Sequence, residues 1–120
     1  MSDYQMGVIE SQFADIIWDN QPMSSAELVR RSEELLKWKK STTYTVLKRL
    51  CDKGIFQNDR GTVTAVISRE DFYSEKSHQF VEQTFAGSLP AFLAAFTKKK
   101  KLTQEEVSQL RRMVAQYEEG

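Results

Sequence analysis

Over residues 11–20 the apolar positions Phe13, Ala14, Ile16, Ile17 and Trp18 recur at helical spacing before Gln21-Pro22 interrupts them. Side chains three and four apart share one helix face, so the segment predicts a short amphipathic helix with Ser11 as its N-cap. A second helix is predicted after Ser24-Ser25, carrying Ala26, Leu28, Val29, Leu35 and Leu36, with Ser24 and Glu27 at capping-box spacing. A third starts near Ser41 or Thr42 and runs through TTYTVLKRLCDK until Gly54 stops it. Beyond it, Ile55-Phe56 and Val63, Ala65 and Ile67 flank the polar Asn58-Asp59-Arg60-Gly61, the pattern of a β-hairpin. Three short helices followed by a hairpin is the order of a winged helix-turn-helix.

The second half of the chain reads differently. Ser68 followed by Glu70 and Asp71 opens a helix with the stripe Phe72, Lys76, Phe80, Val81 and Phe85, which Gly87 breaks. SLPAFLAAF follows, apolar on nearly every side and with Pro90 in its first turn, so this helix has to be covered. After the solvated lysines 98–101, Thr103 and Glu106 form another capping box for a helix with Val107, Leu110, Val114 and Tyr117 on one face. The expected fold is mainly α with a small β-hairpin wing: a winged helix in residues 1–70 and a helical dimerisation region in 71–120. The expected pairing residues are Phe72, Phe80, Phe85, Leu89, Phe92, Leu93, Phe96, Val107, Leu110 and Val114. Pairing is favoured over a membrane-surface role because SLPAFLAAF has no cationic face of its own. Two modules held together also read a two-fold site better than one.

Composition narrows the function. A length of 120 residues suits one domain, or one small domain plus an accessory element that needs a partner. Seven Phe, four Tyr and two Trp against two Pro and five Gly describe a chain that folds. No apolar run approaches the roughly 20 residues of a membrane span. The opening MSDYQMGVIE lacks the basic-then-apolar plan of a signal peptide, so a cytoplasmic protein is expected. Cys51 and His78, each the only one of its kind, cannot build a metal cluster, and no nucleophile–base set is visible. Neither a cofactor nor an enzyme is expected.

Net charge is zero, but its distribution is uneven. Residues 1–29 carry five acidic and no basic side chains, whereas residues 30–53 carry eight basic and three acidic. Within that basic segment the spacing 43, 46, 47, 50 turns Thr43, Val46, Leu47 and Leu50 inward. Ser41, Thr42, Tyr44, Thr45, Lys48 and Arg49 are left facing out. Small hydroxyl side chains admit close approach to base edges in a major groove, and cations at the helix ends hold phosphates. Lys39 and Lys40 just before the helix and Arg60 at the hairpin tip suit the same purpose. An ordinary solvated helix face shows a similar mixture; a wing in the right place favours double-stranded DNA. The rival is a winged-helix adaptor that binds proteins and no DNA.

The stretch WKKSTTYTVLKRLCDKG (residues 38–54) resembles the penicillinase-repressor family, the BlaI, MecI and CopY type. FADIIWDNQPMSSAEL before it, REDFYSEKSHQFVEQTFAGSLPAFLAAF after it and KLTQEEVSQLRRMV at the end extend the resemblance over nearly the whole chain. It implies a winged-helix repressor that binds inverted-repeat operators as a homodimer, without a cofactor. Copper-responsive members carry paired cysteine motifs near the C-terminus, and residues 98–120 contain no cysteine. In β-lactamase-type members a membrane sensor protease system leads to cleavage of an Asn-Phe bond in the dimer region. The matching bond here is Ala95-Phe96, which keeps the phenylalanine and lacks the asparagine.

Overall fold

The structure, a computed structural model, describes residues 6–119. The elements run α1 (Val8–Asn20), β1 (Met23–Ser24), α2 (Ser25–Leu36), α3 (Lys40–Asp52), β2 (Phe56–Asp59), β3 (Thr62–Ala65), α4 (Arg69–Phe85), α5 (Leu89–Lys99) and α6 (Gln104–Glu119). Every helix expected from the pattern is present, and their ends show where local chemistry differs from it. Helix α1 begins at Val8 with Gly7 as its N-cap, not at Ser11. Ser11 lies inside the helix, where its hydroxyl donates to the Gly7 carbonyl at 3.0 Å. A serine that satisfies itself on the preceding turn has no need to end the helix.

Helix α2 starts where the pattern puts it, with Ser24 Oγ accepting the Glu27 amide at 3.0 Å. The reciprocal half of that capping box is not made. Glu27 instead accepts from Arg30 and Arg31, charge-assisted bonds that outcompete a backbone amide. The Arg30 bond is the larger influence that holds its carboxyl below the usual range. Helix α3 ends before Gly54, whose φ of +81° is the left-handed turn that glycine makes at least cost.

Strands β2 and β3 pair antiparallel, Phe56 opposite Ala65 and Asp59 opposite Thr62. The turn between them is Arg60-Gly61, with φ +54° and +88°, the positive pair that a two-residue hairpin turn needs. Asn58 Oδ1 accepts the Gly61 amide at 3.0 Å and fixes that turn. Strand β1 adds to the other edge of β3, Met23 opposite Val63, giving the order β1-β3-β2. Two residues are too few to show a strand period, so this third strand has no signature in the hydrophobic pattern.

The core is built by α1, α2, α3, the sheet and the start of α4. Phe13, Ile17, Leu28, Leu47, Leu50, Ile55, Phe56, Val63 and Phe72 are fully buried. Trp18 joins the layers: its ring lies 5.2 Å from Phe56 and 5.4 Å from Phe72, and its Nε1 donates to the Ile67 carbonyl at 3.0 Å. Arg69 fastens the same corner, bonding Asp15 at 3.2 Å and Asp19 at 2.7 Å while its guanidinium stacks over Trp18. Phe72, expected in the pairing surface, is therefore part of this core, because Trp18 needs an apolar lid on its outer side.

The chain divides into two units, Met1–Gln79 and Phe80–Gly120, later than the expected boundary at residue 70. In the second unit Ser88 caps α5 by accepting the Ala91 amide at 3.1 Å. Thr103 and Glu106 close the capping box in both directions, at 3.1 and 2.8 Å. Phe80, Phe85, Phe92 and Phe96 gather with ring centroids 5.7 to 6.1 Å apart. Even so, no residue of α5 or α6 is buried, and the expectation that α5 is covered is not met within one chain. Among the described residues no helix is long and apolar enough to cross a membrane.

Candidate nucleic-acid interface

Helix α3 presents two faces as its spacing requires. Thr43, Val46, Leu47 and Leu50 are buried, while Ser41, Thr42, Tyr44, Thr45, Lys48 and Arg49 are exposed. Lys39 is the N-cap and no side chain caps the helix, so its first amides are left for an external acceptor. That end carries a positive partial charge, and Lys39 and Lys40 add full charges beside it. The ion pairs among the described residues leave out Lys39, Lys40 and Arg60. All three are exposed and available to an anion.

The other two cations on this face have partners. Lys48 pairs with Asp52 at 3.2 Å with both side chains largely in water, a contact worth little and readily exchanged for a phosphate. Arg49 reaches back to Glu10 on α1 at 3.1 Å. Its charge is thus partly engaged in holding α1 to α3. Thr45 donates its hydroxyl proton to the Ser41 carbonyl at 2.9 Å, which leaves its methyl and an oxygen lone pair for an outside contact.

Tyr44 donates to Ser25 Oγ at 3.2 Å, and the Ser25 amide donates to the Gly61 carbonyl at 2.8 Å. Ser25 therefore stands between α3 and the wing turn. The sequence reading missed it; the available signal was the doubled Ser24-Ser25, of which the helix cap uses one. Behind this face Tyr44, Leu47, Lys48, Cys51 and Asn58 line a small hollow. Burial pushes the Cys51 thiol up, which keeps it protonated and unreactive near neutral pH.

In the second unit the remaining expected pairing residues stay at or near the surface. Phe80, Leu89, Phe96 and Val114 are exposed, and Phe85, Phe92, Leu93, Val107 and Leu110 are half-buried. Ala95 is exposed on α5 next to Phe96. Leu102, Val107, Leu110 and Val114 border an open apolar hollow along α6.

The penicillinase repressor family model matches residues 6–116 of the chain. The chain belongs to the penicillinase repressor family. A penicillinase repressor of Bacillus licheniformis is 25% identical over 117 residues, covering 94% of this chain and 91% of that protein. The methicillin resistance regulatory protein MecI of Staphylococcus aureus (strain Mu50 / ATCC 700699) is 22% identical over 115 residues, covering 92% and 94%. The solution structure of the DNA binding domain of the repressor BlaI superposes with a TM-score of 0.51 at 25% identity, covering 59% of this chain and 93% of that domain. Family and fold agree on a winged-helix, DNA-binding repressor.

Proposed function

We propose that this penicillinase-repressor family member is a transcriptional repressor that binds an inverted-repeat duplex operator as a homodimer. Helix α3 enters the major groove, with Ser41, Thr42, Tyr44 and Thr45 toward base edges. Lys39, Lys40, Lys48 and Arg60 neutralise phosphates on either side. One observation carries the reading: an exposed, hydroxyl-rich helix face is flanked by Lys39, Lys40 and Arg60, which take part in none of the ion pairs among the described residues. A protein-binding adaptor on the same fold has no need of such a flank.

Pairing is supported by the uncovered apolar side chains of the second unit, each worth roughly 1.5–3 kcal/mol once fully buried. Linking two heads raises the effective concentration of the second at its half-site, a gain of roughly 100- to 10,000-fold. The exposed Ala95-Phe96 bond on α5 suits cleavage by a sensor protease system as the release step. The name of the MecI relative points to antibiotic resistance genes as the regulated set.

Selection of bound sequences from random duplex, followed by titration of the selected and a random duplex over a range of salt, tests this. The expected result is a two-fold symmetric site, preferred over random DNA, with affinity that falls steeply as salt rises. Absence of salt-sensitive duplex binding at low salt sinks the reading and leaves the adaptor. Separately, the chain recovered intact from induced cells discards the cleavage step.

A further inference from the structure

We infer that Ser25, the first residue of α2, is a positioning residue for sequence recognition: it anchors Tyr44 on the outer face of α3 and ties α3 to the wing turn. This rests on the DNA-binding reading above. A tyrosine on an exposed helix face has free rotamers, and a side chain that samples several positions discriminates poorly between bases. Tyr44 is instead held, its hydroxyl donating to Ser25 Oγ at 3.2 Å.

The bond also defines what the pair presents. With the Tyr44 O–H directed at Ser25 Oγ, the phenol oxygen can still accept, and the Ser25 hydroxyl hydrogen is still available to donate. Tyr44 and Ser25 together present one acceptor and one donor side by side, a combination that a base edge matches better than a lone phosphate oxygen does.

Helix capping does not account for this serine. Ser24 is the N-cap and its Oγ takes the Glu27 amide. Ser25 is the next residue, and its amide donates to the Gly61 carbonyl at 2.8 Å, beside Arg60 in the left-handed turn. One residue thus connects a base-facing side chain to the loop that carries the wing's cation.

The test uses the full-length chain and the best duplex selected from a random library. Ser25→Ala and Tyr44→Phe each remove the same hydrogen bond. Each is expected to lower the ratio of selected-duplex to random-duplex affinity roughly three- to tenfold. In Ser25→Ala, which keeps the backbone amide bond to Gly61, random-duplex affinity and salt slope stay unchanged. The double variant should lose clearly less than the sum of the two single losses, since the two share one interaction. Ser25→Thr, which keeps the hydroxyl, should restore the ratio. Ser25→Pro is compatible with the first position of a helix and with the extended Ser24 before it. It removes the amide and pushes away the Gly61 carbonyl, so it should weaken random-duplex binding as well, through Arg60. An unchanged ratio in Ser25→Ala, or losses from Ser25→Ala and Tyr44→Phe that add in full, overturns the inference. If the unaltered chain shows no salt-dependent duplex binding, the DNA reading and this inference fall together.

Discussion

Phe13, Leu28, Phe56 and Val63 in the first unit are fully buried, whereas no residue of α5 or α6 in the second is, although both halves carry apolar residues at helical spacing. The difference lies in what surrounds each stripe. In the first unit three helices, a three-stranded sheet and the start of α4 close around one another, and Trp18 touches rings from two of those layers. The second has two helices and the end of α4, too few elements to enclose the Phe80, Phe85, Phe92 and Phe96 cluster. The lesson is that periodicity predicts which side of a helix wants burial, and the number of neighbouring elements decides whether one chain supplies it.

The largest effect expected from this contrast is on a fragment ending at Gln79. It should fold, remain monomeric in sedimentation, and bind the selected operator roughly 100- to 10,000-fold more weakly than the full chain. A fragment that dimerises as tightly as the full chain moves the pairing surface into the first unit. A fragment ending at Glu70 is a poorer choice, because it removes Phe72 from over Trp18.

Point substitutions sharpen the same contrast. Phe13→Ala should cost about 3–5 kcal/mol in denaturant unfolding of the first unit, the price of a large core cavity. Tyr117→Ala, at a position 86% exposed, should change the stability of the isolated chain by less than about 0.5 kcal/mol. A Tyr117 substitution that costs as much as Phe13 means that the second unit has a closed core of its own.

Smaller effects separate the two faces of the first unit. Lys39→Ala or Arg60→Ala should lower the slope of log affinity against log salt by about one each, equally on operator and random DNA. Arg49→Ala should change that slope less, since its guanidinium is already engaged by Glu10. Equal slopes for all three variants remove that distinction.

The smallest effect concerns acid. Thr103 holds the Glu106 carboxyl below the usual range, first through its backbone amide and then through its hydroxyl. A carboxyl depressed by folding contributes its stabilisation fully above its ordinary pKa, and loses it as pH falls through the depressed one. The start of α6 should fray only under that acidic condition, and Glu106→Gln should abolish the pH dependence of its amide signals. Fraying that begins near neutral pH points to another group.

The fold of the first unit was largely legible because its signals are local. Gly54 and Gly61 mark sharp turns, Ser24 a helix start, and 43, 46, 47 and 50 the buried side of α3. What stayed hidden depends on distant partners. The Arg69 bridge to Asp15 and Asp19, the Arg49 bridge to Glu10, strand β1 and the Tyr44–Ser25 bond join residues far apart in sequence or too few to show a period. Phe72 is in phase with Phe80 along α4, so the pattern alone places it in the pairing stripe; only the position of Trp18 reveals that it belongs to the core. The outer face of α3 could be written down residue by residue, but not which of its cations already had a carboxylate.

The most direct measurement is a salt titration of the full chain on the selected duplex and on random duplex, with Lys39→Ala and Arg60→Ala in parallel. The account expects tighter binding to the selected duplex, a linear fall of log affinity with log salt, and a shallower slope for each variant. Salt-independent binding, or slopes that neither substitution changes, would contradict the assignment of the α3 and wing face to DNA.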